Sequence, residues 1–397
     1  MLKKVLLPVL LVAIGVIAFS VFRTTKITPQ LPFGKNSGGG DGGNIEKRLS
    51  NGHCSGEGTG TLSISPMRPE DFASLIPYGL MVGDHVTPID HQYFTPADYN
   101  SPRDSYEVYA MADARITDIQ PRVTPRGTEY RFVFSITCTF YYYYDLVTSL
   151  APDIKTLYDK SSRGSIDIPV KAGQVIGKIG GQTLDFAVWN TEKALKGFVN
   201  QESYEGEPWK IYTDNPFLYY TPELKELLIE KNIRTAMPIE GKIDYDIDGR
   251  LIGNWFLEET NGYSGLGEGK VQNYSKTHLA IAPDHIDPSG TIFSTGDFNG
   301  EPKQFGIPRN SPNPKDVGVE TGLIKYELTD YDWYKPDGER WDRKSLAKDL
   351  KFKEGSTLKG CALVQLIENK KLKVEVFGEA SCSQIPGFDS GAKIYER

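Results

Sequence analysis

The 397-residue sequence predicts an all-β (mainly β) protein of two β units, the second a barrel or a sandwich, preceded by one apolar N-terminal helix. Three observations carry this. Short runs such as residues 130–138 and 165–170 alternate apolar and polar side chains with period two, which sets one face of a strand on a core and the other away from it. The second half repeats the pattern near 250–257, 277–282, 322–328, 362–367 and 372–377. Helix-start punctuation beyond the N-terminus is concentrated at Thr221.

Taken in order, residues 1–26 begin with Lys3 and Lys4, run apolar from Val5 to Phe22 over 18 residues, and close with Arg23 and Lys26. Crossing a hydrocarbon layer takes about 20 apolar residues, so length favours an uncleaved signal anchor over a signal peptide cut near Ala18-Phe19-Ser20. Basic residues on both sides do not orient the segment. The expected location is extracytoplasmic: membrane-anchored through this helix, or secreted if it is cleaved.

Residues 27–60, with Ser37-Gly38-Gly39-Gly40-Asp41-Gly42-Gly43 at their centre, read as a flexible tether. A first β unit follows over 61–200. Residues 201–236 form a helical connector in which Thr221 is the N-cap, Pro222 takes the first helical position and Glu223 puts an acid in the first turn. The C-terminal β unit spans 237–397, and Glu368-Asn369-Lys370-Lys371 supplies a hairpin turn between its last two expected strands.

A net charge of -7 and a pI near 5.5 exclude nucleic acid as a partner, because phosphate binding needs a clustered positive field. Four cysteines fit an oxidising compartment. Cys361 and Cys382 flank a hairpin and are the favoured disulfide, Cys54 with Cys138 is the remaining pairing, and buried free thiols are the alternative.

The site signal lies in a series of blocks. Gly83-Asp84-His85-Val86-Thr87-Pro88-Ile89-Asp90-His91 places two of the five histidines beside carboxylates. Residues 108–119 follow, then Tyr143-Tyr144-Asp145-Leu146, then 170–180 with Ala172-Gly173-Gln174-Val175-Ile176-Gly177, and finally Thr183-Leu184-Asp185-Phe186. In this order the blocks resemble the LytM-like, M23-type metallopeptidases, whose fold is the β-sandwich called the duplicated hybrid motif. The resemblance covers about a third of the chain, residues 83–188.

In that family the first block is His-x-Gly-x-Asp with two zinc ligands, a later Tyr-x-His-Leu carries a catalytic histidine, and a final His-Leu-His-Phe gives the last ligand and another catalytic histidine. Carried over, the resemblance makes His85, Asp90 and Asp185 the candidate metal ligands, with His91 as a further one. It also leaves the catalytic positions degenerate. His85 and Asp90 lie five apart rather than four, Asp145 stands at one histidine position, and Thr183 and Asp185 stand at the other two.

A catalytic zinc requires three protein ligands, an open water position and a proton carrier. The expectation is therefore a degenerate, non-catalytic pseudo-peptidase of the cell envelope with no cofactor, which binds cell-wall glycan, a peptide or a protein partner. The alternative is a divergent metallohydrolase using His85, Asp90 and Asp185 with a divalent metal such as zinc.

For His85 and His91 the residues alone suggest partly exposed turn positions, and for Asp145 and Asp185 solvated strand ends. Tyr141-Tyr142-Tyr143-Tyr144 reads either as a groove wall that stacks on sugars or as a strand with alternate rings exposed. His278 and His285, close to Asp284 and Asp287, are expected at the surface. Gly253-Asn254-Trp255 resembles the Gly-x-Trp entry of lipocalin-like barrels; a Trp anchoring an ordinary β core is the plainer reading, and an apolar ligand in the barrel the third functional class.

Overall fold

A computed structural model describes residues 45–161, 166–265 and 274–397. The apolar segment 1–26 and the tether up to residue 44 lie outside the described residues. No helix among those described is long and apolar enough to cross a membrane.

The first β unit is a sandwich. One sheet orders its strands Phe72–Ile76, Gln92–Pro96, Leu184–Asn190, Phe140–Val147, Gly127–Ser135, Ala114–Thr124 and Ile168–Val170, with Thr213–Asp214 attached to Leu184–Asn190. The other holds Tyr106–Tyr109, Val175–Ile179 and Ser149–Leu150. Between them Phe94, Phe132, Phe134, Tyr142, Tyr144 and Phe186 pack against Val108, Ile176 and Ile179. In the strand Val175–Ile179 the backbone runs close to its neighbour, so a Cβ on Gly177 would lie 2.4 Å from the Ser149 carbonyl oxygen.

The C-terminal unit is a closed antiparallel barrel of eight strands, from Gly253–Leu257 round to Lys393–Glu396. Its interior is filled by Leu279, Ile281, Phe293, Tyr326, Val364, Leu372 and Tyr395, with Trp255 fully buried among them. The Arg397 guanidinium caps the Trp255 ring at 4.0 Å from its centroid and donates to the carbonyls of Ile252 and Ile247. Trp255 thus anchors a packed core. The expected hairpin is present, Lys351–Glu368 pairing with Lys371–Gly378, and so is the connector helix Pro222–Lys231, whose Leu224 N–H donates to Thr221 Oγ1 at 3.4 Å.

One expectation needs correcting. Residues 45–60 are not a tether: helix Ile45–Ser50 docks on the sandwich through fully buried Leu49, and Cys54 is bonded to Cys138. The favoured pair Cys361–Cys382 is also bonded, so among the described residues none of the cysteines is free. In the connector, Trp209, Lys210 and Ile211 of the turn Pro208–Tyr212 are buried.

The four tyrosines form neither a groove wall nor a half-exposed strand. Both faces of Phe140–Val147 are covered, Tyr142 and Tyr144 by the sandwich core and Tyr141 and Tyr143 by Trp189, Trp209, Phe256 and Tyr263. A second layer, Ile76, Leu80, Met81 and Ile89 against Ala282, Ile286, Trp333 and Phe352, joins sandwich to barrel. The outward face of the sandwich sheet is therefore an internal surface, and this decides the character of the site.

Candidate functional site

Pleating brings the nominated residues together. Asp185 stands directly opposite Tyr93 on one neighbouring strand and Asp145 on the other. In an antiparallel sheet directly opposed residues share a face, so all three project towards the barrel side, and His91, two residues before Tyr93, joins them. His85 sits in the turn closed by reciprocal Val82 and His85 backbone hydrogen bonds. That turn is tied to the barrel by the Gln304 amide, which accepts from the Gly83 N–H at 2.9 Å and donates to the Gly83 carbonyl at 3.0 Å. The His85 and His91 rings meet edge to face with centroids 6.2 Å apart.

His91 lies between two carboxylates. Its Nδ1 is 3.5 Å from Asp90 Oδ1, and its Nε2 is 3.3 Å from Asp185 Oδ2 and 3.1 Å from Tyr93 Oη. Asp90 Oδ1 is also 3.1 Å from the ammonium of Lys210, a side chain only 1% exposed. Thr183 Oγ1 donates to Asp185 Oδ1 at 3.4 Å. Asp145 is clamped by two guanidiniums: Arg122 Nη2 reaches one oxygen at 2.9 Å and Arg131 Nη2 the other at 2.6 Å, with the Leu146 N–H adding a 2.7 Å bond.

The environments push the carboxyls apart. Burial pushes Asp185 up to about 7, with Asp145 adding to the rise and His91 opposing it. Burial works the same way on Asp145 and Asp90, but it is outweighed by Arg122 and Arg131 in the one case and Lys210 and His91 in the other, which hold both below the usual carboxylate range. Burial lowers His85 to about 3, so that imidazole is neutral. Burial also raises Glu207, which neighbours Lys210 and Asp90.

Several expectations are overturned. Asp145 and Asp185 are 3% and 6% exposed, not solvated strand ends, because the barrel covers the sheet. His91 is buried for the same reason, whereas His85 is partly exposed in its turn, as expected. His278 and His285 are buried too: His278 Nε2 contacts the Tyr263 carbonyl at 2.9 Å and His285 Nδ1 contacts Asp284 at 3.1 Å. Sequence reasoning missed Lys210, Arg122, Arg131 and Tyr93. Arg131 was open to discovery, since period-two alternation along Gly127–Ser135 assigns it one face of its strand, whereas Lys210 in an irregular connector gives no such signal.

A divalent metal is what the family resemblance implies, and the residues as arranged do not fit one. Asp90 is engaged by an ammonium, Asp145 by two guanidiniums, and each ring nitrogen of His91 faces a carboxylate. Among the described residues no three His, Cys, Asp or Glu side chains form a metal-holding group. A groove of about 710 Å³ lined by Met67, Arg68, Tyr109, Leu224 and Leu227 lies elsewhere, and none of the nominated residues lines it.

Comparison with known proteins finds no matching family model and no matching curated protein. Among solved structures the chain is similar to Csd3 of Helicobacter pylori in its orthorhombic crystal, with 17% identity, a TM-score of 0.25, and 43% of this chain aligned to 40% of that one. The hexagonal crystal of Csd3 gives 16% identity and the same TM-score over 38% of its chain. The solution structure of lysostaphin aligns with 11% identity and a TM-score of 0.26, over 85% of this chain and 92% of that one. This chain thus spans about two fifths of the Csd3 chains. At such TM-scores the likenesses carry no argument about its site.

Proposed function

We propose that the chain is a non-catalytic binding or scaffold protein of the cell envelope, built on a degenerate M23-type peptidase domain. The observation that carries this is the fate of the catalytic positions. Where the resemblance calls for three histidines the chain has Asp145, Thr183 and Asp185, and Asp145 is already neutralised by Arg122 and Arg131. Peptide hydrolysis needs a mobile proton carrier beside an activated water, and a carboxylate locked between two guanidiniums supplies neither.

Two disulfides and the apolar segment 1–26 support an extracytoplasmic location, with that segment as membrane anchor. The ligand class is cell-wall glycan, its peptide, or a protein partner.

The test is metal analysis by inductively coupled plasma mass spectrometry on the full chain in detergent, purified without chelator, beside the His85→Ala/Asp90→Ala variant. Cosedimentation with peptidoglycan and a peptide-release assay run in parallel. The expected result is no stoichiometric metal in either protein and no peptide release. A near-stoichiometric metal that disappears in the variant, or measurable hydrolysis, would establish the divergent metallohydrolase instead.

A further inference from the structure

The two disulfides are set in unlike surroundings. Cys361 and Cys382 are 0% and 8% exposed and share an apolar cluster with Leu363. Cys54 and Cys138 are only half-buried. On either side of Cys54 the chain stands clear of the body: Gly52 and Gly56 take φ of 79° and 74°, and a Cβ on either would meet nothing within 4 Å. Thiol–disulfide exchange requires access to a sulfur, so an external reductant reaches Cys54–Cys138 first. That bond joins residues 84 apart in sequence, against 21 for its counterpart, and so constrains the chain more.

What it holds is the strap that precedes it. Helix Ile45–Ser50 has six residues, well below the length at which a helix persists alone. Its buried apolar side chain is Leu49, set among Tyr141, Trp189 and Trp209. Thr117 Oγ1 donates to the Leu49 carbonyl at 2.9 Å, Asn51 Nδ2 donates to the Thr117 carbonyl at 2.7 Å, and Arg48 reaches the Glu205 and Gly206 carbonyls at 3.4 Å. Ordering this backbone costs conformational entropy that one leucine and a few hydrogen bonds do not return, so the covalent bond completes the docking. Beyond Cys54 the chain is stitched down separately, the Cys138 N–H donating to the Gly56 carbonyl at 2.9 Å and Thr137 Oγ1 to the Gly58 carbonyl at 2.6 Å.

We infer that Cys54–Cys138 is a redox clasp which sets how far the folded body stands from the membrane. The inference rests on the membrane-anchor part of the proposed function. With the bond closed the chain leaves the body at Ile45, and residues 27–44 span at most about 60 Å from there to the apolar segment. With the bond open residues 45–54 come away as well, and the greatest span grows to about 95 Å. The step takes a dithiol as reductant. One of its thiolates attacks Cys54 Sγ and expels the Cys138 thiolate, which takes up a proton; its second thiol then attacks the mixed disulfide, which frees Cys54 as a thiol and leaves the reagent as a cyclic disulfide.

The test uses the full chain in lipid vesicles, treated with graded dithiothreitol. Alkylation by iodoacetamide with peptide mass mapping reads which cysteines have opened. Brief trypsin digestion reads the strap, because Lys47 and Arg48 are cleaved only when helix Ile45–Ser50 undocks. Cys54 and Cys138 are expected to be alkylated at lower dithiothreitol than Cys361 and Cys382, with cleavage after Lys47 and Arg48 in step. On a supported bilayer, neutron reflectometry is expected to show the body rising on reduction. Cys54→Ser/Cys138→Ser is expected to be cut at both sites without reductant, and Cys361→Ser/Cys382→Ser to keep them protected.

If Cys54→Ser/Cys138→Ser does not fold, partial reduction of the folded wild type decides the matter alone. Opening of Cys54–Cys138 without cleavage after Lys47 or Arg48 overturns the clasp, and so does opening of both disulfides together; either result leaves the anchor reading intact. Flotation of the untreated vesicles is the separate assay. A full chain that fails to float with them sinks the anchor reading, and the reach from the membrane with it.

Discussion

Each β unit contains a buried histidine beside a carboxylate, and the two clusters are finished to different degrees. In the barrel unit, fully buried Asp284 accepts from Trp333 Nε1 at 2.8 Å and from the Ile286 and Asp287 N–H groups at 2.9 and 2.8 Å, and it contacts His285 Nδ1 at 3.1 Å. Beneath it Arg234 donates to the His285 carbonyl at 2.6 Å. In the sandwich, His91 Nδ1 and Lys210 Nζ are left without hydrogen bonds, and Asp185 holds its partners at 3.3 to 3.4 Å. A fully satisfied buried network specifies structure, whereas an incompletely satisfied one calls for another explanation. The first is a fully bonded structural knot; the second leaves buried polar atoms without hydrogen bonds.

The sharpest way to break this contrast is Asp284→Ala. It strips up to four donors of one acceptor in a fully buried site, and the expected loss is about 4 kcal/mol of unfolding free energy, from roughly 1–3 kcal/mol per stranded group with incomplete additivity. Urea unfolding followed by tryptophan fluorescence measures it. A loss below about 1 kcal/mol would mean the cluster is not a knot, since even one unsatisfied buried group costs that much.

Asp145→Ala is the matching change in the sandwich. Removing one partner of a buried ion pair costs about 3–5 kcal/mol, and the lower figure is expected because Arg122 and Arg131 keep 21% and 23% of their side chains exposed and can rehydrate. Equal losses for Asp145→Ala and Asp284→Ala would erase the distinction between the regions.

The next effect is one of pH. A carboxyl whose folded pKa lies above its unfolded value binds its proton more tightly when folded, so its contribution is fully present in acid and is lost as pH rises through the folded value. Asp185, pushed up to about 7, is therefore expected to make stability fall between about pH 4 and 7. Asp118 and Asp246, raised by burial to about 6, act with the same sign, so Asp185 is isolated by difference. Asp90 and Asp145 act oppositely, and their contribution is lost only at more acid pH. Asp185→Asn is expected to flatten the fall in urea titrations across that range. Parallel profiles for the two proteins would show that Asp185 is not buried as described.

Much of the fold was legible because it depends on local patterns. Alternation located the strands near 277–282 and 372–377, and the Thr221-Pro222-Glu223 triplet located Pro222–Lys231. The order of blocks over 83–188 puts Asp145 and Asp185 on adjoining strands, with His91 and Thr183 just before the strands Gln92–Pro96 and Leu184–Asn190. Burial of the histidines was illegible, because it comes from the barrel packing across the sheet, a contact between residues such as Tyr143 and Phe256 far apart in the chain. Lys210 was illegible for the same reason. A lysine between Trp209 and Ile211 in a connector reads as solvated until its neighbours are placed around it.

The smallest effect tests the weakest link of the sandwich cluster. Burial raises Tyr93 well above the ordinary phenol value, so it stays neutral and its hydroxyl is available to His91 Nε2 at 3.1 Å. Asp185 Oδ2, at 3.3 Å, competes for that nitrogen, and which contact holds the ring depends on the tautomer. Tyr93→Phe removes the hydroxyl and keeps the ring that packs 4.9 Å from His91. An expected loss of about 1 kcal/mol, the net worth of one hydrogen bond, together with a shift in the His91 imidazole 15N resonances, would show Tyr93 sharing the load with Asp185. Unchanged stability and unchanged resonances would mean that Asp185 alone fixes His91, which makes the Asp90–His91–Asp185 row self-sufficient and Tyr93 only packing.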